Sequence, residues 1–189
     1  DHVVSRFMVS FLPELTKQNI EIYIYSNNNK SDQITNRFKE LTNNFHHIHN
    51  LETDAAHELI SSHALNTLID LSGHTQGNRL DIFAKRAAPI QSSWLGYPGS
   101  TGLQNMDYIF IDQYSAGGNI DVYCREKVAT LEGPLLCFKD WQEAKICEHL
   151  PENKNGFITL GTLNHPRKYS EPQLDTWAKN SIRYQTQNY

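Results

Sequence analysis

With 39% hydrophobic and 20% charged side chains, the 189 residues suit one folded domain and part of a second, not a disordered segment. The balance of 17 basic against 21 acidic residues gives a net charge of −4, which argues against a nucleic-acid binder but leaves room for a local basic pocket for phosphate. No run approaches the about 18 apolar residues of a membrane span, and the N-terminus lacks the apolar core of a signal peptide.

In chain order, Val4, Phe7, Met8, Phe11, Leu12 and Leu15 recur at helical spacing and predict a helix over residues 3–15, ended by Lys17-Gln18-Asn19. Residues 20–25 are rich in β-branched and aromatic side chains and predict a strand before the polar turn Ser26-Asn27-Asn28-Asn29. Ser31 or Asp32 is the candidate cap of a helix reaching Leu41. Residues 46–49 form a short strand, and 54–61 a helix with Ala55, Leu59 and Ile60 inward. The apolar strand 65–71 carries Asp70 near its end, and Gly73-His74-Thr75-Gln76-Gly77 breaks the pattern. Leu80, Phe83, Ala84 and Ala87 mark the next helix, stopped by Pro89. Strand 90–95 is closed by Gly96-Tyr97-Pro98-Gly99, and strands 106–112 and 127–131 follow. Residues 134–151 show no period and read as a connection. A new unit then opens with a strand over 156–163, the basic turn Asn164-His165-Pro166-Arg167-Lys168 and a helix capped by Ser170, with Pro172 in its first turn. Leu174, Trp177 and Ala178 give that helix its apolar side.

Repeated strand–helix alternation predicts an α/β fold with a mostly parallel, doubly wound sheet. The expected domains are 1–150 and a second α/β unit over 151–189. A lone strand–turn–helix cannot bury its apolar side, so the second unit reads as cut short. The chain begins at Asp1 rather than Met, so its start is expected further upstream. Cys124, Cys137 and Cys147 are odd in number and lack CxxC spacing, which predicts reduced thiols in a cytoplasmic protein.

In an open α/β sheet, ligands bind outside the carboxyl ends of the strands. The turns 73–77 and 96–102 are therefore expected to wall one pocket. His74 either hydrogen-bonds a ligand hydroxyl or holds its own turn, and Tyr97 either stacks on a ligand or packs. Gly96, Gly99 and Gly102 suit close backbone approach or positive φ. Lys168 is the candidate phosphate ligand, since its charge and the N–H groups of the following helix would add; position alone equally allows a surface lysine. His2, at the start of the first helix, is placed to meet an anion or a sugar, or is a frayed terminal residue. His46, His47 and His49 have no acid or cysteine at metal spacing, so they read as exposed strand-end residues. A Walker-type P-loop and a GxSxG nucleophile elbow are both absent, and the glycine-rich loop lacks the GxGxxG spacing of a dinucleotide site.

The segments DLSGHTQGNRLDIFAKRAAPIQSSWLGYPGSTGLQNMDYIFID and GFITLGTLNHPRKYSEPQLDTWA resemble the catalytic region of the O-linked N-acetylglucosamine transferase / SPINDLY family, glycosyltransferase family 41. The resemblance runs from His2 to about Ile182. It implies a GT-B fold, two Rossmann-like lobes with a nucleotide sugar between them. Residues 1–150 would be the N-terminal catalytic lobe without its first strand, and 151–189 the start of the C-terminal nucleotide-binding lobe. The implied reaction is inverting transfer of N-acetylglucosamine from UDP-GlcNAc to Ser or Thr of acceptor proteins, with neither metal nor cofactor, in the cytoplasm or, in a eukaryote, the nucleus as well. Members usually carry tetratricopeptide repeats before this region, and these residues hold none. Two alternatives stand beside this reading. One is a family member with another donor, transferring fucose to hydroxyls or glucose to asparagine. The other is a non-catalytic remnant that only binds proteins.

The resemblance also implies roles for single residues. The family's active-site histidine, once cast as a catalytic base, matches His2, with Val3 where the family has proline; contact with the sugar is its implied role. Leu95 and Gly96 match the Leu-Gly pair that contacts the sugar. Lys168 matches the lysine that stabilises the departing UDP, a form of transition-state stabilisation. His165 stands where the family has a nucleotide-contacting Gln. His74 and Tyr97 join them as substrate-binding candidates. An aspartate shortly before the family's histidine would precede Asp1, and a His-Thr-Thr turn and a ribose-holding acid would follow Tyr189. The isolated 189 residues are therefore expected to bind UDP-GlcNAc weakly and turn over little or not at all.

Overall fold

The computed structural model describes residues 3–138 and 145–186, with side chains of the last helix described through Ser181. The chain forms two compact units, Asp1–Asp140 and Trp141–Tyr189.

The first unit alternates helix and strand: α1 (Val3–Thr16), β1 (Tyr23–Ser26), α2 (Gln33–Leu41), β2 (Asn44–His47), α3 (Thr53–Ser62), β3 (Thr67–Asp70), α4 (Leu80–Ala84), β4 (Ile90–Ser93), β5 (Tyr108–Asp112), α5 (Ile120–Tyr123) and β6 (Lys127–Leu131). All strand pairs are parallel, in two sheets of order β1-β2 and β3-β4-β5-β6. Neighbouring residues of a strand point to opposite faces. Ile24 joins a cluster built on Met8, Leu12 and Leu95 with Phe11, Phe38 and Trp94. Tyr25 joins another built on Ala56, Ile60, Leu68, Ile82 and Phe83. Helices α1 and α2 thus cover one face and α3 and α4 the other, the doubly wound layering that the alternation predicts.

Local chemistry sets the start of α2. Asp32 caps α2, its Oδ1 accepting from Thr35 N at 2.9 Å. Helix α3 buries Ala56 and Ile60 and leaves Ala55 exposed, one position from the expected face. Helix α4 is shorter than the apolar spacing to Ala87 predicts. Arg86 takes φ 59°, and its guanidinium donates to both Asp107 carboxylate oxygens, at 2.8 and 2.9 Å, and to Pro89 O at 3.0 Å. The fully buried Gln91 replaces the missing helical bonds. Its Nε2 donates to Phe83 O (2.9 Å) and Asn105 O (2.7 Å), and its Oε1 accepts from Ala87 N (3.0 Å). Ala87 and Ala88 are therefore buried without being helical.

Of the β2 histidines, His47 is exposed as expected, whereas His46 belongs to a packed cluster. His46 lies 4.6 Å from His63 and 5.6 Å from Tyr25 between ring centroids, and the Tyr25 hydroxyl is 2.7 Å from His63 Nδ1. Among the described residues no group of three His, Cys, Asp or Glu stands together to hold a metal. Burial first, then the neighbouring His63, holds the His46 imidazole below its ordinary value of 6.5. A depressed histidine contributes stability that is present above 6.5 and lost as pH falls through the folded value. Thermal unfolding followed from about pH 7.5 down to about 5 should show this loss, and His46→Phe should flatten it. An unchanged slope in that variant would assign the loss to other groups.

The second unit holds α6 (Pro151–Asn155), a 3-10 turn at Pro166–Lys168 and α7 (Glu171–Thr186). Gly156, at φ 74°, ends α6 in the left-handed conformation that glycine tolerates. The strand expected over 156–163 does not form. Strands exist by pairing, and among the described residues none lies beside this segment. Phe157 and Leu160 are accordingly exposed. In α7, Trp177 is half-buried and packs edge-on against Tyr169 at 5.2 Å.

Candidate functional site

Because β3 to β6 run parallel, their carboxyl ends open on one edge of the sheet. At the end of β3, the short carboxylate of Asp70 folds back on the turn it starts. It accepts from Gly73 N at 2.7 Å, Ser72 N at 3.1 Å and Ser93 Oγ at 3.3 Å. Burial pushes this carboxyl up from its ordinary value, against the pull of the three bonds. Asp112 does the same at the end of β5, accepting from Ser115 N (2.7 Å), Tyr114 N (2.8 Å) and Leu135 N (2.8 Å). These bonds, Ser115 first, hold its carboxyl below the usual range.

The loop leaving β4 is the most constrained backbone of the edge. Trp94 N donates to Asp70 O and Gly96 N to Trp94 O, each at 2.9 Å. The second bond closes a three-residue turn centred on Leu95, whose φ is 76°. Such turns are rare and strained. The buried Leu95 side chain, packed with Met8 and Leu12, holds this one in place. A Cβ on Gly96 would lie 2.0 Å from Leu71 O, so the loop backbone rests directly on the exit of β3.

His74 and Tyr97 tie the two turns together. Tyr97 sits over Gly73, where a Cβ would come within 2.4 Å of the Tyr97 Cβ. The His74 ring meets Tyr97 edge-on at 5.4 Å, and its Nε2 donates to Thr101 O at 3.1 Å. The turns 73–77 and 96–102 therefore form one packed platform instead of two walls around a gap. The cavity beside the loop, about 420 Å³, is walled by Pro98, Gly99 and Ser100 on one side and by residues 116–120 with Tyr123 and Cys124 on the other.

Glu126, just ahead of β6, anchors the far end of the loop. Buried, it accepts from Thr101 N and Ser100 Oγ, both at 2.7 Å, and from the Thr101 hydroxyl. Sequence reasoning does not single it out, because its partners lie 25 and 26 residues away. Burial pushes its carboxyl up, but the bonds from Thr101 and Ser100 outweigh this and leave it below its ordinary 4.5. A depressed acid contributes stability that is present above 4.5 and lost as pH falls through the folded value. Glu126→Gln should cost about 1–3 kcal/mol near pH 7 by leaving a loop donor unpaired, and less near pH 4. Urea unfolding at the two pH values checks this, and an equal cost at both would contradict it.

In the second unit, Lys168 closes the 3-10 turn, exposed, with its N–H donating to His165 O at 2.9 Å. His165 Nδ1 caps the same turn by accepting from Arg167 N at 3.2 Å. Tyr169 donates its hydroxyl to Asn164 O at 2.8 Å. The structure thus brings Leu95, Gly96, His74 and Tyr97 together in one unit and His165 with Lys168 in the other. His2 lies outside the described residues.

Residues 1–154 match the model of Glycosyl transferase family 41. A protein of Eustoma exaltatum subsp. russellianum named as a probable UDP-N-acetylglucosamine–peptide N-acetylglucosaminyltransferase SPINDLY is 32% identical over 183 residues, covering 95% of this chain and 20% of that protein. The Arabidopsis thaliana protein SEC, named as the same kind of probable transferase, is 31% identical over 115 residues, 60% of this chain and 12% of its own. A solved structure of a Thermobaculum terrenum O-GlcNAc transferase mutant superposes with a TM-score of 0.68 at 31% identity, covering 71% of this chain and 26% of that one. The chain spans about a fifth of the length of the SPINDLY relatives it matches. With its parallel α/β fold of the GT-B type, the chain belongs to glycosyltransferase family 41.

Proposed function

We propose that this chain is part of a protein O-GlcNAc transferase. It moves N-acetylglucosamine from UDP-GlcNAc to Ser or Thr hydroxyls of acceptor proteins, with inversion and without metal or cofactor. The observation that carries the reading is the locked turn at Leu95-Gly96, on the carboxyl edge of the parallel sheet. A sugar ring can approach backbone closely only where side chains are missing and the backbone does not yield. Gly96 supplies the first condition, and its contact with Leu71 O the second. The names of the relatives, probable UDP-N-acetylglucosamine–peptide N-acetylglucosaminyltransferases, support UDP-GlcNAc as the donor.

In this reading Leu95 and Gly96 seat the sugar, with His74 and Tyr97 fixing the loop beneath it. The acceptor hydroxyl attacks the sugar's C1 as the C1–O bond to the diphosphate breaks; UDP leaves with the bonding electrons, and the hydroxyl proton passes to a phosphate oxygen of the departing UDP or to solvent. Lys168 balances the charge that develops on the departing UDP. His2 contacts the sugar and His165 the nucleotide. No described helix is long and apolar enough to cross a membrane, and we place the protein in the cytoplasm.

The test offers the full-length protein UDP-GlcNAc, GDP-fucose and UDP-glucose in separate reactions with a Ser/Thr peptide pool and follows the peptides by mass. Transfer from UDP-GlcNAc is expected. Transfer from GDP-fucose or UDP-glucose alone would replace this reading with another donor of the same family. No transfer from any of the three would support a protein-binding remnant.

A further inference from the structure

Residues 94–107 join the carboxyl end of β4 to the start of β5, and because the two strands are parallel this loop has to run back along the sheet. The turn at Leu95-Gly96 fixes its beginning. Among the described residues, no backbone–backbone hydrogen bond then holds Tyr97, Pro98 or Gly99. Fixing resumes at Ser100 and Thr101, where it depends on Glu126, a side chain from the segment just ahead of β6. We propose that Glu126 is a positioning residue for sugar transfer: acting through Thr101, His74 and Tyr97, its carboxylate sets the Leu95-Gly96 turn on which the donor sugar is seated. The role in transfer rests on the donor reading; the hold of Glu126 on the turn does not.

The hydrogen bonds require a carboxylate at this place. Three donors converge on Glu126: Thr101 N and Ser100 Oγ, each at 2.7 Å, and the Thr101 hydroxyl. Ser100 Oγ cannot turn round and accept instead, because its lone pairs take Gly102 N at 3.1 Å and Arg125 N at 3.3 Å. Thr101 Oγ1 likewise takes Leu103 N at 3.3 Å. The partner must therefore offer acceptors to both residues, which an ionised carboxylate does and an amide does not. Glu126 and Thr101 are both buried, so water cannot stand in for a lost bond.

Thr101 passes this hold on to the turn. Its carbonyl accepts from His74 Nε2 at 3.1 Å, and the His74 ring meets Tyr97 edge-on at 5.4 Å. Tyr97 follows Gly96 in the chain and rests on Gly73, whose N–H donates to Asp70 at 2.7 Å. A strained turn persists only while its surroundings hold it. The buried Leu95 side chain holds one end of this turn and Tyr97 the other. Loss of the Glu126 bonds lets Thr101 move, and with it the carbonyl that orients His74 against Tyr97. A purely structural anchor would change how much protein is folded. A positioning residue changes the rate of the folded protein and leaves the nucleotide, which the donor reading assigns to His165 and Lys168, bound as before.

The test compares the full-length protein with its Glu126→Gln and Glu126→Asp variants in transfer from UDP-GlcNAc to a peptide, at a temperature where circular dichroism shows each folded. Glu126→Gln turns an N–H donor toward Ser100 Oγ or Thr101 and should lower kcat about 10–100-fold, the cost of misplacing reacting groups. Competitive inhibition by UDP should not change. Glu126→Asp keeps the acceptors and should recover part of the rate. A Glu126→Gln protein with the unmodified kcat, or with kcat and UDP inhibition weakened together, would overturn the positioning role and leave the donor reading standing. If Glu126→Gln does not fold, Glu126→Asp decides: kcat below the unmodified value with UDP inhibition unchanged supports the role, and an unchanged kcat overturns it. A second measurement needs no donor. The Gly96 amide, bonded to Trp94 O, should exchange its hydrogen at least about 10-fold faster in Glu126→Gln, while the amides of Tyr108–Asp112 keep their rates. Equal exchange at Gly96 in both proteins would overturn the proposal. Absence of transfer by the unmodified protein, beside faster Gly96 exchange in the variant, would count against the donor reading and support the hold of Glu126 on the turn.

Discussion

Replacing Lys168 with alanine in the full-length protein is expected to lower kcat for sugar transfer by about 10²–10³-fold, the usual loss when one group facing developing charge is removed. The midpoint of thermal unfolding should not move, because Lys168 is exposed and contributes only its backbone N–H to the 3-10 turn. KM for the donor should change far less than kcat, since the charge on the diphosphate grows as the bond to the sugar breaks. Lys168→Arg keeps the charge but not the compact ammonium and should recover part of the rate. Steady-state kinetics of the three proteins decides the matter. A Lys168→Ala variant with unchanged kcat would remove this residue from the chemistry, and absence of transfer by the unmodified protein itself would favour the remnant reading.

Gly96→Ala is expected to be the most damaging single methyl in the first unit. The new Cβ would meet Leu71 O at 2.0 Å and Leu71 C at 2.9 Å, and both are backbone atoms at the exit of β3. Neither can give way without shifting the turn that Asp70 holds, so a loss of about 2–4 kcal/mol and of sugar transfer follows. Two neighbours serve as controls. At Gly99 the nearest atom is the Tyr97 ring edge at 2.8 Å, which can swing aside. At Gly102 there is open space but φ is +72°, which costs an alanine about 1 kcal/mol. Urea unfolding should therefore rank Gly96→Ala well below both. Equal stability for the three variants would show that the loop is not held against Leu71.

Patterns that depend on neighbours in sequence are readable in this chain. The strand over Lys127–Leu131 and the Asp32 cap fall where alternation and capping chemistry place them. The turn after Asp70 is likewise legible from the pattern break at Gly73-His74-Thr75-Gln76-Gly77, although the Asp70 carboxylate that accepts from Ser72 and Gly73 is seen only in the structure. What depends on distant partners is not. The length of α4 is decided by Arg86 reaching Asp107 and by Gln91 reaching Phe83 and Asn105. The segment 156–163 has a strand's composition, but no described strand lies alongside to pair with it. The platform formed by the two glycine turns depends on Tyr97 lying over Gly73, and its anchor depends on Glu126 meeting Thr101. Spacing in a sequence marks such residues as candidates; only the packing shows which of them touch.

The most direct measurement is a crystal structure of the full-length protein soaked with UDP-GlcNAc in which the bridging oxygen at C1 is replaced by sulfur. The sugar should lie against the Leu95-Gly96 turn, with the diphosphate oxygens within hydrogen-bond distance of Lys168 Nζ. A donor bound with its sugar away from that turn, or with Lys168 pointing into solvent, would contradict it.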